Sequence, residues 1–391
     1  MAKKGNNEGS IYKDKQGRWR GVVSLPTADN KVKKKYFYGK TKKEVSEKVN
    51  IVLSQLRTNT YIEPCKMTLY SWLCTWLETY CKNEVRLTTY INYETYVHKH
   101  VKDSIGGFKL CDLSTLIIQK YYNEKLTNGK IRGSGGLSPK TLRNLHNMLH
   151  KALNQAVFLD MIPKNPVDYA VIPKNTKKEM RYFTVEEQQQ LQSALVGERL
   201  GMAVLLALYT GVREGELLGL TWDNVHIDPD GQSFIRITQT INRLKKVQNI
   251  NGTKTALMIN EPKTPHSKRM IPLLPEIAEK LSEHRIQQQK YFEDNNFPKS
   301  EFVFTSVKGN VIDPRDFQRY FKNLLKKNGI REINLHGLRH TFATRALEAG
   351  MSVKTLSKIL GHSNVGFTLD TYAHVTEELK VESISQMANF L

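Results

Sequence analysis

The sequence predicts a multidomain α+β protein: a three-stranded β-sheet plus helix at the N-terminus, then a helical domain, then a mixed, mainly helical domain with a β-hairpin. Three observations carry that expectation. A chain of 391 residues is too long for one ordinary hydrophobic core. Apolar residues alternate in short runs before residue 40 and recur at helical spacing after it. Gly- and Pro-marked breaks divide the pattern, giving expected domains at 1–62, 63–165 and 183–391 with a linker at 166–182.

In the first domain, Ile11, Tyr12, Trp19, Val22 and Val23 fall in two runs separated by the turn Asp14-Lys15-Gln16-Gly17, and a third strand is expected around Lys33 to Tyr38. Thr41 stands three residues before Glu44, a capping-box signal, and Val45, Val49, Val52 and Leu56 give the following helix one apolar face. Residues 1–60 hold 15 Lys or Arg against 5 Asp or Glu, about half of the chain's formal excess of +21. Such a surface attracts a polyanion. A small sheet can set side chains into a DNA groove, with Arg18, Trp19 and Arg20 as candidate contacts. The plainer alternative is a solvated basic extension.

In the second domain, Leu69, Trp72, Leu73, Trp76 and Leu77 mark one helix, and Tyr90, Tyr93, Tyr96 and Val97 a second. Further helices are expected at 112–126 and 138–158, with Ser138-Pro139 as a helix start and Gly133, Gly135 and Gly136 in the loop between them. The aromatic stripe reads first as core and second as a base-stacking surface. The stretch KNPVDYAVIPKN is a proline-marked exit into the linker.

The third domain opens with a capping-box signal at Thr184 and Glu187. The run MAVLLALYTGVREGELLGLTW then places Arg213 after Gly211, between two helices. Arg213 is either a phosphate clamp or a surface partner of Glu214 or Glu216. Strands are expected at 233–240, 255–260 and 269–274. The latter two frame a hairpin that projects Lys263, although a turn lysine is ordinarily only solvated. Helical patterns resume at 275–293 and 314–327.

The richest stretch runs from Leu335 to Val375 and concentrates His336, Arg339, His340, His362, Tyr372 and His374. A helix starting near His336 buries Leu338, Phe342 and Ala346, leaving His336 and Arg339 three apart on another face. Ser352 caps a second helix with Val353, Leu356, Ile359 and Leu360 on its apolar side. Gly361 stops that helix and puts His362 just beyond its end. A basic pair, histidines and a tyrosine together suggest an electropositive site built around a phosphate.

Composition bounds the alternatives. The balance of 59 Lys and Arg against 38 Asp and Glu favours a polyanionic partner. Cys65, Cys74, Cys81 and Cys111 form no CxxC pair, so reduced thiols are expected rather than a disulfide scaffold. The N-terminus has no apolar signal segment, and MAVLLALY is too short to span a membrane. A soluble, cytoplasmic, DNA-associated protein without membrane partners is expected.

Four segments, TGVREGELLGL, PKTPHSKRMIPL, LHGLRHTFAT and LGHSNVGFTLDTYAHV, together closely resemble the catalytic region of tyrosine recombinases, the integrase family. The similarity is strongest over 180–391. Residues 65–165 resemble the family's core-binding domain, and the basic sheet resembles the arm-binding domain of integrases from Gram-positive conjugative transposons and some temperate phages. The resemblance implies an active site of Arg213, Lys263, His336, Arg339, His362 and Tyr372, with His340 and His374 outside the set. Arg213 and Arg339 would clamp the scissile phosphate, and Lys263 would protonate the leaving oxygen. His336 and His362 would supply hydrogen bonds or proton transfer, and Tyr372 would attack to give a 3′-phosphotyrosyl intermediate.

Those residue types suit the chemistry. Fixed arginine forks stabilise charge gained by the nonbridging oxygens, and a covalent phosphotyrosine preserves the bond energy for rejoining. The scheme needs no metal and no cofactor. The resemblance further implies site-specific integration and excision of a mobile element through a Holliday junction. Its partners would be double-stranded DNA at core-type and arm-type sites, a homotetramer formed on DNA, and an excisionase or host DNA-bending protein. The C-terminal stretch 376–391 either docks on a neighbouring subunit or closes its own. The competing functions are a chromosome-dimer-resolving recombinase, a type IB-like topoisomerase and, from another class, a noncatalytic architectural DNA-binding protein.

Overall fold

Asp14 makes the first turn. Its carboxylate accepts the backbone N–H groups of Gln16 and Arg18, each at 2.9 Å, and Gly17 takes a φ of 78°. In this computed structural model, which describes residues 9–25, 33–58, 66–174, 181–245, 255–261, 267–362 and 364–372, β1 (Ser10–Lys13) thus folds back on β2 (Trp19–Leu25). β3 (Lys33–Gly39) pairs with the other edge of β2, also antiparallel. α1 (Lys42–Arg57) starts at Thr41, whose hydroxyl accepts the N–H of Glu44 at 3.2 Å. Glu44 reaches back to the N–H of Lys40 rather than to that of Thr41, so the expected capping box closes one residue early. Val45, Val49 and Val52 of α1 bury against Val23 and Leu25. Gly21 permits that approach, because a Cβ there would lie 2.5 Å from Val49.

The chain divides into two compact units, residues 1–176 and 177–391. The first holds, besides the sheet and α1, a helical core with its own apolar cluster. α2 (Leu69–Trp76) runs on through a wider π turn, Leu77–Cys81, and α3 (Leu87–Tyr96) through another, Val97–Val101. α4 (Thr115–Asn128) and α5 (Pro139–Phe158) complete it, the latter started by Ser138, whose hydroxyl accepts from Thr141 N at 3.1 Å. The aromatic stripe packs: Trp76, Tyr121 and Tyr122 are fully buried, and Trp72 Nε1 donates to Ala152 O at 3.0 Å. The Pro-marked stretch is part of this core as far as Ile172: Val167 is fully buried, Ala170 and Ile172 pack against the cluster, and Gln119 bonds to both backbone groups of Val171. Asn165 is also buried and bonds to His150 O and Asn154. No disulfide joins Cys74, Cys81 and Cys111, and Cys65 lies outside the described residues.

In the second unit, α6 (Val185–Ala194) carries the complete capping box read from Thr184 and Glu187. α7 (Gly201–Thr210) is apolar on nearly every face because it runs through the core. Gly211 ends it with a left-handed φ of 62°, and Arg213 caps α8 (Glu214–Leu218). β4 (Val225–His226), β5 (Phe234–Ile237) and β8 (Arg269–Pro272) form one antiparallel sheet, while β6 (Thr240–Lys245) and β7 (Thr255–Asn260) form another. The strands on either side of Lys263 therefore do not pair with each other. β8 is drawn to β5 because Ile271 and Ile235 face one another inside the core, whereas Met258 and Ile259 of β7 stay exposed.

α9 (Pro275–Asp294) and α10 (Pro314–Lys327) cover this core, and α11 (Leu335–Glu348) packs beside α7. Ser352 caps α12 (Val353–Leu360) through Thr355 N at 3.1 Å, and Gly361, φ 64°, stops it. A short α13 (Val365–Thr371), not expected from the sequence, then leads to Tyr372. Among the described residues no helix is long and apolar enough to cross a membrane.

Candidate active site

The sequence around α11 dictates the site's centre. Asn334 caps this helix by accepting Gly337 N at 2.9 Å, and Leu338, Ala343 and Leu347 turn inward. Arg339 is carried inward with them and is 2% exposed. Its Nη1 donates to Gly211 O at 2.8 Å, and its Nη2 to Leu360 O at 2.7 Å and His362 Nε2 at 2.8 Å. One arginine thus ties the turn after α7 to the turn after α12.

Arg213 reaches the same place from the other side. Its Nη2 donates to Gly361 O at 3.3 Å, and its Nη1 meets Glu216 Oε1 at 2.7 Å. Of the two sequence readings of Arg213, the pairing with Glu216 is present, but that partner is 4% exposed and lies inside the site rather than on the surface. Glu216 also takes a bidentate grip from Arg269 of β8. Burial alone would raise the Glu216 carboxyl, but hydrogen bonds and charge from Arg269, joined by Arg213, outweigh it and hold the pKa at about 2.

His362 follows Gly361 directly, so its backbone is set by the left-handed stop. Because Nε2 accepts from Arg339, the neutral ring carries its proton on Nδ1, which donates to Thr368 Oγ1 of α13 at 2.7 Å. Burial first, then Arg339 and Arg213, push its pKa down to about 3. His336 stands one turn before His340 on α11, the two rings edge to face at 4.7 Å, and its pKa is also lowered by burial and by Arg339. Tyr372 is 1% exposed, packed against Leu356 and Leu360, and its Oη lies 2.9 Å from His340 Nδ1. Burial pushes the phenol up to about 12.

Arg213, His336, Arg339, His362 and Tyr372 therefore come together from segments far apart in sequence. Lys263 and His374 lie outside the described residues, as does 376–391. Reading the sequence left His340 outside the set, offered Glu216 only as a surface partner of Arg213, and missed Arg269 and Thr368. The i, i+4 spacing of His336 and His340 was the available signal for the first, and the i, i+3 spacing of Arg213 and Glu216 for the second.

In the first unit, Arg20 points from the sheet face opposite α1. Its guanidinium lies 4.0 Å from the Tyr36 ring centre, with Tyr38 at 5.7 Å and Tyr12 at 5.9 Å. Arg18 pairs with Asp14 at 3.1 Å and lies over Tyr38. Trp19 turns the other way and packs on the small core, flanked by Lys13 and Lys42.

Known proteins resemble this chain over most of its length. Residues 181–378 match the phage integrase family, and residues 68–126 match the phage integrase N-terminal SAM-like domain. The chain is 31% identical to a tyrosine recombinase XerC-like protein of Caldanaerobacter subterraneus subsp. tengcongensis, over 99% of each chain. A structure of the Tn1549 transposon integrase in complex with transposon right end DNA is 25% identical, with a TM-score of 0.65, covering 82% of this chain and all of that one. A lambda integrase tetramer bound to a Holliday junction shares the fold at 19% identity, with a TM-score of 0.54, over 92% of this chain and 94% of that one. With the family matched across the whole catalytic region and a full-length relative beside it, the chain belongs to the tyrosine recombinases of the phage integrase family, enzymes of site-specific DNA recombination.

Proposed function

We propose that this recombinase integrates and excises a mobile DNA element, with Tyr372 as nucleophile and Arg213 and Arg339 as the clamp on the scissile phosphate. The observation that carries the assignment is the shortage of negative charge around Arg339. Arg213 and Arg269 both pair with one buried carboxylate, Glu216, while Arg339 beside them feels that charge only at longer range. The hydrogen bonds of Arg339 run to neutral acceptors, and among the described residues no carboxylate pairs with it. A buried cation left in that state is stabilised strongly by an incoming anion, and a phosphodiester brings oxygens suited to guanidinium forks.

In this reading Tyr372 Oη attacks phosphorus, the bond to the 5′ oxygen breaks, and Lys263 protonates the departing oxygen. His336 donates a hydrogen bond to a nonbridging oxygen, while His362, kept in one tautomer by Thr368, accepts from Arg339 and orients that guanidinium. Exchange between two duplexes breaks four strands, and each protomer brings one tyrosine, which favours a homotetramer assembled on DNA. Residues 63–172 would grip core-type DNA, residues 173–182 would link, and residues 183–391 would carry the chemistry. The Arg20 face of residues 1–62 would bind arm-type sites. That face favours mobile-element integration over chromosome-dimer resolution, with an excisionase or host DNA-bending protein setting direction. A DNA-associated, cytoplasmic location follows from that role.

The test is a nicked suicide substrate carrying the crossover site, incubated in EDTA with wild type and with Tyr372→Phe. A covalent 3′-phosphotyrosyl adduct formed by wild type alone supports the assignment; an adduct on the variant rejects Tyr372.

A further inference from the structure

Among the described residues, His340 is the one titratable ring in the site that has no task in the proposed reaction. It approaches the attacking atom more closely than either assigned histidine is seen to do, with Nδ1 2.9 Å from Tyr372 Oη. Both ring nitrogens of His362 are already engaged, Nε2 by Arg339 and Nδ1 by Thr368. His336 meets His340 edge to face. The charged and titratable groups facing His340 are His336 and Arg339 from its own helix, and Tyr372 from the end of α13.

We propose that His340 is the proton acceptor for Tyr372. As Oη bonds to phosphorus, its O–H bond breaks and the proton passes to His340 Nδ1. The bond from phosphorus to the 5′ oxygen breaks in the same step, its electron pair leaving with that oxygen, which takes a separate proton from Lys263. On religation the imidazolium returns its proton to the phenolate as the phosphotyrosine bond breaks. The inference rests on the reading of Tyr372 as nucleophile.

The surroundings suit that role. Burial, with His336 and Arg339, holds the pKa of His340 near 4, so its ring is neutral and has a lone pair to offer at pH 7. A bound phosphate offsets the neighbouring positive charge and makes the ring more basic at the moment the proton must move. The phenol needs such help, since burial makes it a weaker acid than free tyrosine.

Single-turnover cleavage of the nicked substrate between pH 6 and 10 tests the idea with wild type, His340→Asn, His340→Ala and Tyr372→Phe. Asn keeps a hydrogen-bonding atom near the Nδ1 position but cannot take up a proton. His340→Asn should bind DNA as wild type does and cleave about 10²–10⁴-fold more slowly at pH 7. The deficit should shrink with rising pH as hydroxide takes over the phenolic proton. It should persist on a substrate with a 5′-bridging sulfur, whose leaving group needs no proton. Added imidazole should restore His340→Ala. A near-wild-type rate for His340→Asn, a deficit equal at every pH, or no rescue of His340→Ala would overturn the proposal. If Tyr372→Phe still forms the adduct, the nucleophile itself is misassigned. If Tyr372→Phe is dead and His340→Asn is normal, the role of His340 alone fails.

Discussion

Arg269 and Glu216 form a bidentate pair almost wholly out of solvent, with Nη2 to Oε2 at 2.8 Å, Nη1 to Oε1 at 3.2 Å, and side chains 6% and 4% exposed. The same carboxylate accepts from the side chain and backbone N–H of Arg213, so β8, α8 and Arg213 are fixed by one group. Glu216→Gln should therefore cost about 3–5 kcal/mol, because it leaves buried guanidinium charge uncompensated. Urea unfolding of the full chain checks the loss. The sign with pH follows from the depressed pKa: the carboxylate's contribution is complete above its unfolded value and disappears as pH falls toward about 2.

The histidines act at higher pH in the same direction. His340 and His362 are held near 4 and 3, below the usual histidine value, so the unfolded chain binds protons that the folded chain refuses. Their contribution is whole above about pH 6.5 and declines as pH drops toward 4. The melting temperature should fall between pH 7 and 4.5, and a His340→Asn, His362→Asn double variant should flatten that fall.

Arg20 is held among three tyrosine rings before any partner arrives. Arg20→Ala should weaken arm-site binding and reduce the slope of log affinity against log salt by about 1 if the residue meets a phosphate. Arg20→Lys should not restore it, because an ammonium cannot stack as the planar guanidinium does. Titrations at several salt concentrations give both quantities.

Thr368 is fully buried and accepts the Nδ1 proton of His362. Thr368→Val keeps the shape and removes the acceptor, freeing the ring to change tautomer. Cleavage should slow about tenfold, the equivalent of roughly 1.4 kcal/mol, with DNA affinity unchanged. Equal affinity with an unaltered rate would show that the orientation of His362 does not depend on this bond.

Much of this molecule is legible in short windows of sequence. Thr184 and Glu187 cap α6 as their spacing says, Ser138 and Ser352 start α5 and α12, and Gly361 stops α12 one residue before His362. These signals are local, since a cap or a left-handed stop depends on three or four neighbouring residues. Strand pairing is not local. β7 and β8 look like a hairpin because eight residues separate them, yet each finds its partner elsewhere according to which face must be buried. Arg269 escaped for the same reason, its partner lying 53 positions away; His340 is visible in the sequence, but its contact with Tyr372, 32 positions on, is not.

Arg339 and Arg213 each donate to a carbonyl of a left-handed glycine beside the other's end of the site, Gly211 and Gly361 respectively. Each guanidinium is thus a peg in the fold as well as a charge. An alanine at either position would loosen a helix exit and shift the companion arginine or His362 together with the missing fork. A survey of variants that counts only lost turnover would then assign to chemistry what belongs partly to architecture. Lysine replacements, scored for melting temperature and covalent adduct side by side, separate the peg from the charge.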